Sequence, residues 1–295
     1  MYFTSLVKVI VGFFIISFIG GCQTTSSTVD PKTGIVKNYG YPDIEYKLHS
    51  NVKNIGVLEN GIFVPKNHNG AAVVFLPSCS GIRSFNSSDV RDWAQFILGN
   101  GYAVAVIQYG TPPRPDKRPY NCGQNKSLSD MRLVKDVYDA TLALSNVVGV
   151  DKNRIFTIGT SLGAQIGVDS IKASIAELAL KNQWGPTPRA VVSLYGGCAY
   201  PSRTYLTSSV VSPVLWMMGK DDNYYMKGCS SSTFTSIKKI HPQSEFINYA
   251  NAGHCWDCKA LNGFVNKREK QTYIYNADVT KKSRDSTLRF LEQFK

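Results

Sequence analysis

From about residue 55 the chain alternates short apolar runs with longer stretches of helical period. Residues 71–76, 103–107, 155–158, 190–195 and 214–218 are nearly all apolar, are too short for helices, and are mostly rich in β-branched or aromatic side chains. Such runs predict strands buried on both faces, and 245–249 predicts another. Residues 55–64 also read as strand material, interrupted by the hairpin signal Asn60-Gly61. Helical spacing covers 89–98, stopped by Gly99-Asn100-Gly101, and 127–147, where Ser127 to Asp130 form a capping-box pattern. Further helices are predicted over 162–180, 231–240 and 281–294. Buried strands alternating with amphipathic helices predict an α/β fold, a mostly parallel twisted sheet with helices on both faces. Sheets of this kind place their chemistry at the carboxyl ends of the strands.

The strand at 155–158 runs directly into Gly159-Thr160-Ser161-Leu162-Gly163 and then into helix. Strand, glycine-flanked serine and helix form the context of a nucleophile elbow, in which a sharp turn lifts the hydroxyl clear of the sheet. A serine of this kind needs a base and an acid on loops after later strands, in that order of acid then histidine. The run ending at Met218 leads to Gly219-Lys220-Asp221-Asp222, and the strand at 245–249 leads to Ala252-Gly253-His254. Of the four histidines, His49 precedes the core, His68 lies in a polar turn and His241 closes a helix, so His254 has the fitting position. An imidazole accepts the serine proton near neutral pH, and a carboxylate fixes its tautomer. Asp222, three residues past Gly219, is the expected acid, with Asp221 the alternative. Leu162 N–H, at the start of the helix, is one expected oxyanion donor, and the loop 77–81 after the strand at 73–76 should supply the other.

The first 21 residues stand apart. Lys8 precedes an apolar run at 9–19 that is short for a bilayer span, and the segment closes on Ile19-Gly20-Gly21-Cys22. That ending resembles the lipobox of bacterial lipoproteins, which implies acylation of Cys22 as the first mature residue. Gln23 behind it fits delivery to the outer membrane, facing the periplasm or the cell surface. An ordinary cleaved signal peptide and an uncleaved anchor are the alternatives, and all three readings export the body of the protein. Residues 22–50 read as a tether and entry segment, and 51–295 as one catalytic domain of adequate size for a single core.

Composition adds two constraints. The formal net charge is +12 at pH 7, but lysine and arginine are scattered, with local clusters only at Lys238-Lys239, Lys267-Arg268 and Lys281-Lys282. This reads as a solvated basic face, and no nucleic-acid partner is expected. Beyond Cys22 there are six cysteines, Cys79, Cys122, Cys198, Cys229, Cys255 and Cys258. An even count in an exported chain predicts disulfides, although sequence alone does not choose among the pairings. For Cys255 and Cys258 a redox pair or half of a zinc site are the alternatives, and no metal or cofactor is expected.

Taken together, Leu76-Pro77-Ser78-Cys79-Ser80-Gly81, the elbow, Gly219 to Asp222 and Ala252 to His254 resemble the dienelactone hydrolase branch of the α/β-hydrolase superfamily, over nearly all of the mature chain. The resemblance implies Cys79 N–H as the second oxyanion donor. It also implies bridges Cys198 with Cys229 and Cys79 with Cys122, leaving Cys255 to Cys258. This chain departs from the family in carrying Ser161 where the type enzyme uses cysteine, and Pro77-Ser78 where His-Gly is usual. The stretch 196–212 is too short for a large lid domain. Tyr109, Tyr195, Tyr224, Tyr225 and Trp256 lie near predicted strand ends, where they would line an acyl or aromatic pocket. The expected activity is hydrolysis of a small-molecule or polymer carboxylic ester through an acyl-enzyme on Ser161. A peptidase or acyltransferase on the same scaffold, and a non-catalytic envelope protein, are the rival readings.

Overall fold

A computed structural model of the protein describes residues 46–49, 61–108, 130–200, 203–223, 229–267 and 270–294. The leader with Cys22, the tether up to residue 45, Asn60, the proline-rich loop with Tyr109 and Cys122, and Tyr224 and Tyr225 lie outside the described residues.

The apolar runs become β3 (Ala72–Leu76), β4 (Ala103–Val106), β5 (Ile155–Thr160), β6 (Val191–Leu194), β9 (Val214–Gly219) and β10 (Glu245–Tyr249). With the short strands β1 (Lys47–His49) and β2 (Gly61–Phe63) they form one eight-stranded sheet in the order β1-β2-β4-β3-β5-β6-β9-β10. Six neighbouring pairs are parallel and only β2 against β4 is antiparallel. Of the strand material read over 55–64, residues 61–63 form β2, and residues 55–60, on one side of the hairpin signal, lie outside the described residues. β1 lies ahead of residue 51, inside the segment read as a tether. Two small antiparallel pairs complete the strands: β7 (Ala199–Tyr200) with β8 (Arg203–Thr204), and β11 (Val265–Asn266) with β12 (Gln271–Thr272).

Period-two alternation inside the strands decides the layers. Val73 and Phe75 of β3, Phe156 and Ile158 of β5, and Leu215 and Met217 of β9 share one cluster with Trp93 and Ile97 of α1 (Ser87–Gly99) and Phe290 and Leu291 of α6 (Ala277–Glu292). Ala72, Val74 and Leu76 face the opposite way, against Leu133, Val137 and Tyr138 of α2 (Asp130–Ser145) and Ile166 of α3 (Leu162–Ser170). Val214, Trp216 and Met218 extend that second face to Ile237 of α5 (Ser231–Ile240). The sheet is therefore covered on both sides, as the apolar runs require.

The expected single helix over 162–180 is broken. α3 ends at Ser170, and α4 (Ala173–Lys181) starts after Lys172 has moved to an extended conformation. The break is held by the loop before β9, whose Val211 N–H donates to Ile171 O and whose Ser209 O accepts from Ala173 N–H, both at 2.8 Å. α6 begins a turn earlier than its apolar spacing suggests, because the Asn276 side chain caps it by accepting from Val279 N–H at 3.1 Å. Among the described residues no helix is long and apolar enough to cross a membrane.

Candidate active site

β5 must reverse into α3 within a single residue. Ser161 does so at φ +53° and ψ −117°, a conformation that L-residues rarely hold. The tightness of the turn explains its glycines. A Cβ on Gly159 would strike the Gly163 carbonyl, and one on Gly163 would strike the carbonyls of Leu76 and Pro77. The strained residue is also tied to the sheet, since Ser161 N–H donates to Leu194 O at 2.9 Å.

The acid and base arrive on adjoining loops. After β9, Lys220 N–H donates to Tyr249 O and Asp221 N–H to Ala252 O, both at 2.9 Å. Gly219 permits this approach, because a Cβ there would run into the Ala252 carbonyl. The carboxylate that reaches the ring is that of Asp222: its Oδ2 lies 2.8 Å from His254 Nδ1, while Asp221 is exposed and contacts this region through its backbone. His254 Nε2 lies 3.0 Å from Ser161 Oγ. An ionised carboxylate only accepts, so Nδ1 carries the proton and Nε2 is left to accept the serine hydroxyl. Asp222 and His254 are 4% and 5% exposed, which keeps both hydrogen bonds out of competition with bulk water.

Leu162 opens α3, where the first amides of a helix have no partner within it. The loop 77–81 passes directly over this turn, as the contacts of Gly163 require, and is folded by Gly81 N–H donating to Ser78 O at 2.8 Å. Cys79 sits half-buried in that loop and is disulfide-bonded. Its expected partner, Cys122, is outside the described residues. Cys198 is bonded to Cys229, and Cys255 to Cys258. The last bond begins at the residue after His254, and it occupies both sulfurs that a metal would need.

A profile of the dienelactone hydrolase family matches residues 58–295. The chain belongs to the dienelactone hydrolase family. Among solved structures, the fold is similar to that of esterase 2 from Thermogutta terrifontis phosphonylated by sarin, with a TM-score of 0.56 and 13% identity over 79% of this chain and 88% of that one. The paraoxon-phosphorylated form of the same esterase gives a TM-score of 0.55 and 16% identity over 79% and 87%. A candidate dienelactone hydrolase from Klebsiella pneumoniae gives a TM-score of 0.53 and 15% identity over 78% and 91%. No curated protein sequence matches. The family therefore makes the chain a hydrolase on an α/β-hydrolase fold, and no large lid is present among the described residues.

Behind the histidine this family member carries a polar network that single-sequence reasoning did not find. Tyr195, at φ +44°, stacks edge-on against His254 with ring centroids 4.9 Å apart. Its hydroxyl donates to Asp257 Oδ1 at 2.8 Å, and Trp93 Nε1–H donates to Asp257 Oδ2 at 2.6 Å. Burial raises the Asp257 carboxyl above its usual range in spite of these two donors. Burial and the neighbouring Asp257 charge likewise hold the Tyr195 hydroxyl well above 10, so it stays a donor. Asp89 of α1 joins from the other side: Ala260 N–H donates to its Oδ1 at 2.9 Å, and burial raises its carboxyl to about 6. Of the aromatic residues expected to line a pocket, Tyr195 borders a cavity beside the elbow. Trp256 is instead fully buried, packed between Tyr195 and Tyr249, and belongs to the core.

Proposed function

We propose that the protein is a serine esterase that cleaves carboxylic esters through an acyl-enzyme on Ser161. The observation that carries this reading is the continuous chain Ser161 Oγ to His254 Nε2 at 3.0 Å and His254 Nδ1 to Asp222 Oδ2 at 2.8 Å. Ser161 Oγ attacks the ester carbonyl carbon while its proton passes to His254 Nε2, and Asp222 stabilises the imidazolium that results. The oxyanion takes hydrogen bonds from Leu162 N–H and Cys79 N–H. Collapse of the tetrahedral intermediate breaks the carbon–oxygen bond to the alcohol, which leaves with the His254 proton. Water then repeats the sequence, giving the free acid and regenerating Ser161. The esterase from Thermogutta terrifontis, named as phosphonylated by sarin, supports a nucleophile open to organophosphorus reagents.

The same reading places the protein outside the cytoplasm, anchored by lipid on Cys22. Two described disulfides, Cys198 with Cys229 and Cys255 with Cys258, support an oxidising compartment. A fluorophosphonate probe tests the chemistry: it should label the wild-type protein and not Ser161→Ala. Hydrolysis of p-nitrophenyl acetate should far exceed that of the matching anilide. Failure to label Ser161 would favour the non-catalytic alternative, and preferred anilide cleavage would favour a peptidase.

A further inference from the structure

Past Gly219 the acid loop leaves the sheet through a turn in which Asp222 N–H donates to Gly219 O at 3.2 Å. A carboxylate on such a turn is aimed by the two peptide groups on either side of its Cα, because those planes set the direction of the Cα–Cβ bond. One side chain grips both. Gln271 of β12 donates from Nε2 to Asp221 O at 3.3 Å and accepts at Oε1 from Asn223 N–H at 3.2 Å. Gln271 is 7% exposed, so water competes poorly for either bond.

This grip needs one donor and one acceptor side by side, which a carboxamide supplies and neither a carboxylate nor an ammonium does. The same side chain meets the base loop: a Cβ on Gly253, the residue before His254, would come within 3.0 Å of Gln271 Nε2. Lys270 O accepts from Asn223 Nδ2–H at 3.2 Å, a second tie between the hairpin and the acid loop. Tyr273 follows two residues later and so faces the same way, its N–H extending the ladder to Phe264 O at 2.9 Å. Its ring lies 5.6 Å from that of His254, and its hydroxyl accepts from Asn266 Nδ2–H of β11 at 3.2 Å. The β11–β12 hairpin thus reaches the acid through Gln271 and the base through Tyr273.

We propose that Gln271 is a positioning residue of the triad, aiming the Asp222 carboxylate at His254 Nδ1 by fixing the peptide groups on both sides of Asp222. A carboxamide takes up no proton near neutral pH, so its effect on the chemistry passes through Asp222. Without the clamp the carboxylate swings through a wider arc, the tautomer with its proton on Nδ1 is held less firmly, and the imidazolium formed during attack loses part of its counter-charge. The inference deepens the esterase reading and rests on it for its kinetic readout.

The test is a double-mutant cycle on p-nitrophenyl acetate hydrolysis. Gln271→Met fills the same space without either bond. In the wild-type background it should lower kcat at least about tenfold, as a small misplacement of a catalytic group does, with KM within about twofold. In the Asp222→Asn background the aimed carboxylate is already gone, and the same substitution should change kcat by less than about twofold. Gln271→Asn keeps the amide but falls one methylene short of both peptide groups; it should repeat the pattern, and it keeps the cycle readable if circular dichroism shows the methionine variant unfolded. A wild-type kcat in Gln271→Met overturns the proposal, as does an equal loss in both backgrounds, which assigns Gln271 to general support of the fold. Independently of turnover, the His254 Nδ1–H proton resonance, assigned by its absence in His254→Gln, should move upfield in Gln271→Met. An unmoved resonance overturns the clamp, whereas absence of Ser161 labelling by the fluorophosphonate overturns the esterase reading, so the two failures are told apart.

Discussion

At the scale of single residues, the proposed chemistry rests on three side chains, and three glycines let their loops approach one another. Asp222→Asn keeps the shape of the acid but lets the ring adopt the wrong tautomer, so kcat for p-nitrophenyl acetate should fall by about 10³–10⁴ with KM little changed. Gly163→Ala asks the Leu76 and Pro77 carbonyls to move, and both residues are buried, one at the end of β3 and one just past it. That overpacking should cost about 3 kcal/mol in denaturant melts and displace the loop 77–81. Asp89 supplies a pH signature. Its carboxyl rises from 3.8 to about 6, first through burial, then through the charges of Asp257 and Asp92, against the amides of Ala260 and Lys259. The folded state then binds a proton that the unfolded state has lost across this window. Ionised Asp89 therefore destabilises the fold, and stability declines as pH rises from about 4 to about 6. Melting curves of wild type and Asp89→Asn should converge toward pH 4 and separate above pH 6, with the variant the more stable.

At the scale of elements, the cross-links and the strands have different duties. The bond Cys198–Cys229 spans 31 residues and Cys255–Cys258 spans 3. On chain-entropy grounds the first contributes about 4 kcal/mol and the second about 2 kcal/mol. Replacing the first pair by alanine should lower the melting temperature more, with kcat retained in the folded fraction. Replacing the second pair should lower the melting temperature less but reduce kcat, because its bond begins at the residue after His254. The strands and the positions of Ser161, Asp222 and His254 were legible in the sequence because each depends on a local signal: an apolar run, a glycine, the residue just past a strand end. What was not legible depends on contacts between distant segments. The break after Ser170 comes from hydrogen bonds to Ser209 and Val211, and the parallel pairing of β1 with β2 joins two segments that carry no local signal for one another. The Trp93–Asp257–Tyr195 network draws on three segments, which in isolation read as an ordinary helix, loop and strand end. The one available clue was an aspartate between two cysteines directly after the histidine.

At the scale of the whole molecule, the proposed anchoring and the proposed chemistry are separable by experiment. The proposed lipid on Cys22 and the reacting groups at the carboxyl ends of β5, β9 and β10 belong to different parts of the chain. Wild-type protein should incorporate labelled palmitate and partition into detergent in a Triton X-114 separation, and Cys22→Ser should not incorporate the label. A body beginning at residue 46 should hydrolyse p-nitrophenyl acetate with unchanged kcat, since β1 and everything paired to it are retained.

The imidazole of His254 rests with Tyr195 on one side at 4.9 Å and Tyr273 on another at 5.6 Å, and both its nitrogens are engaged before any ester is present. A ring wedged in this way has no assembly step to perform when substrate arrives. Product should accumulate at full velocity from the first turnover, with no lag even in the cold.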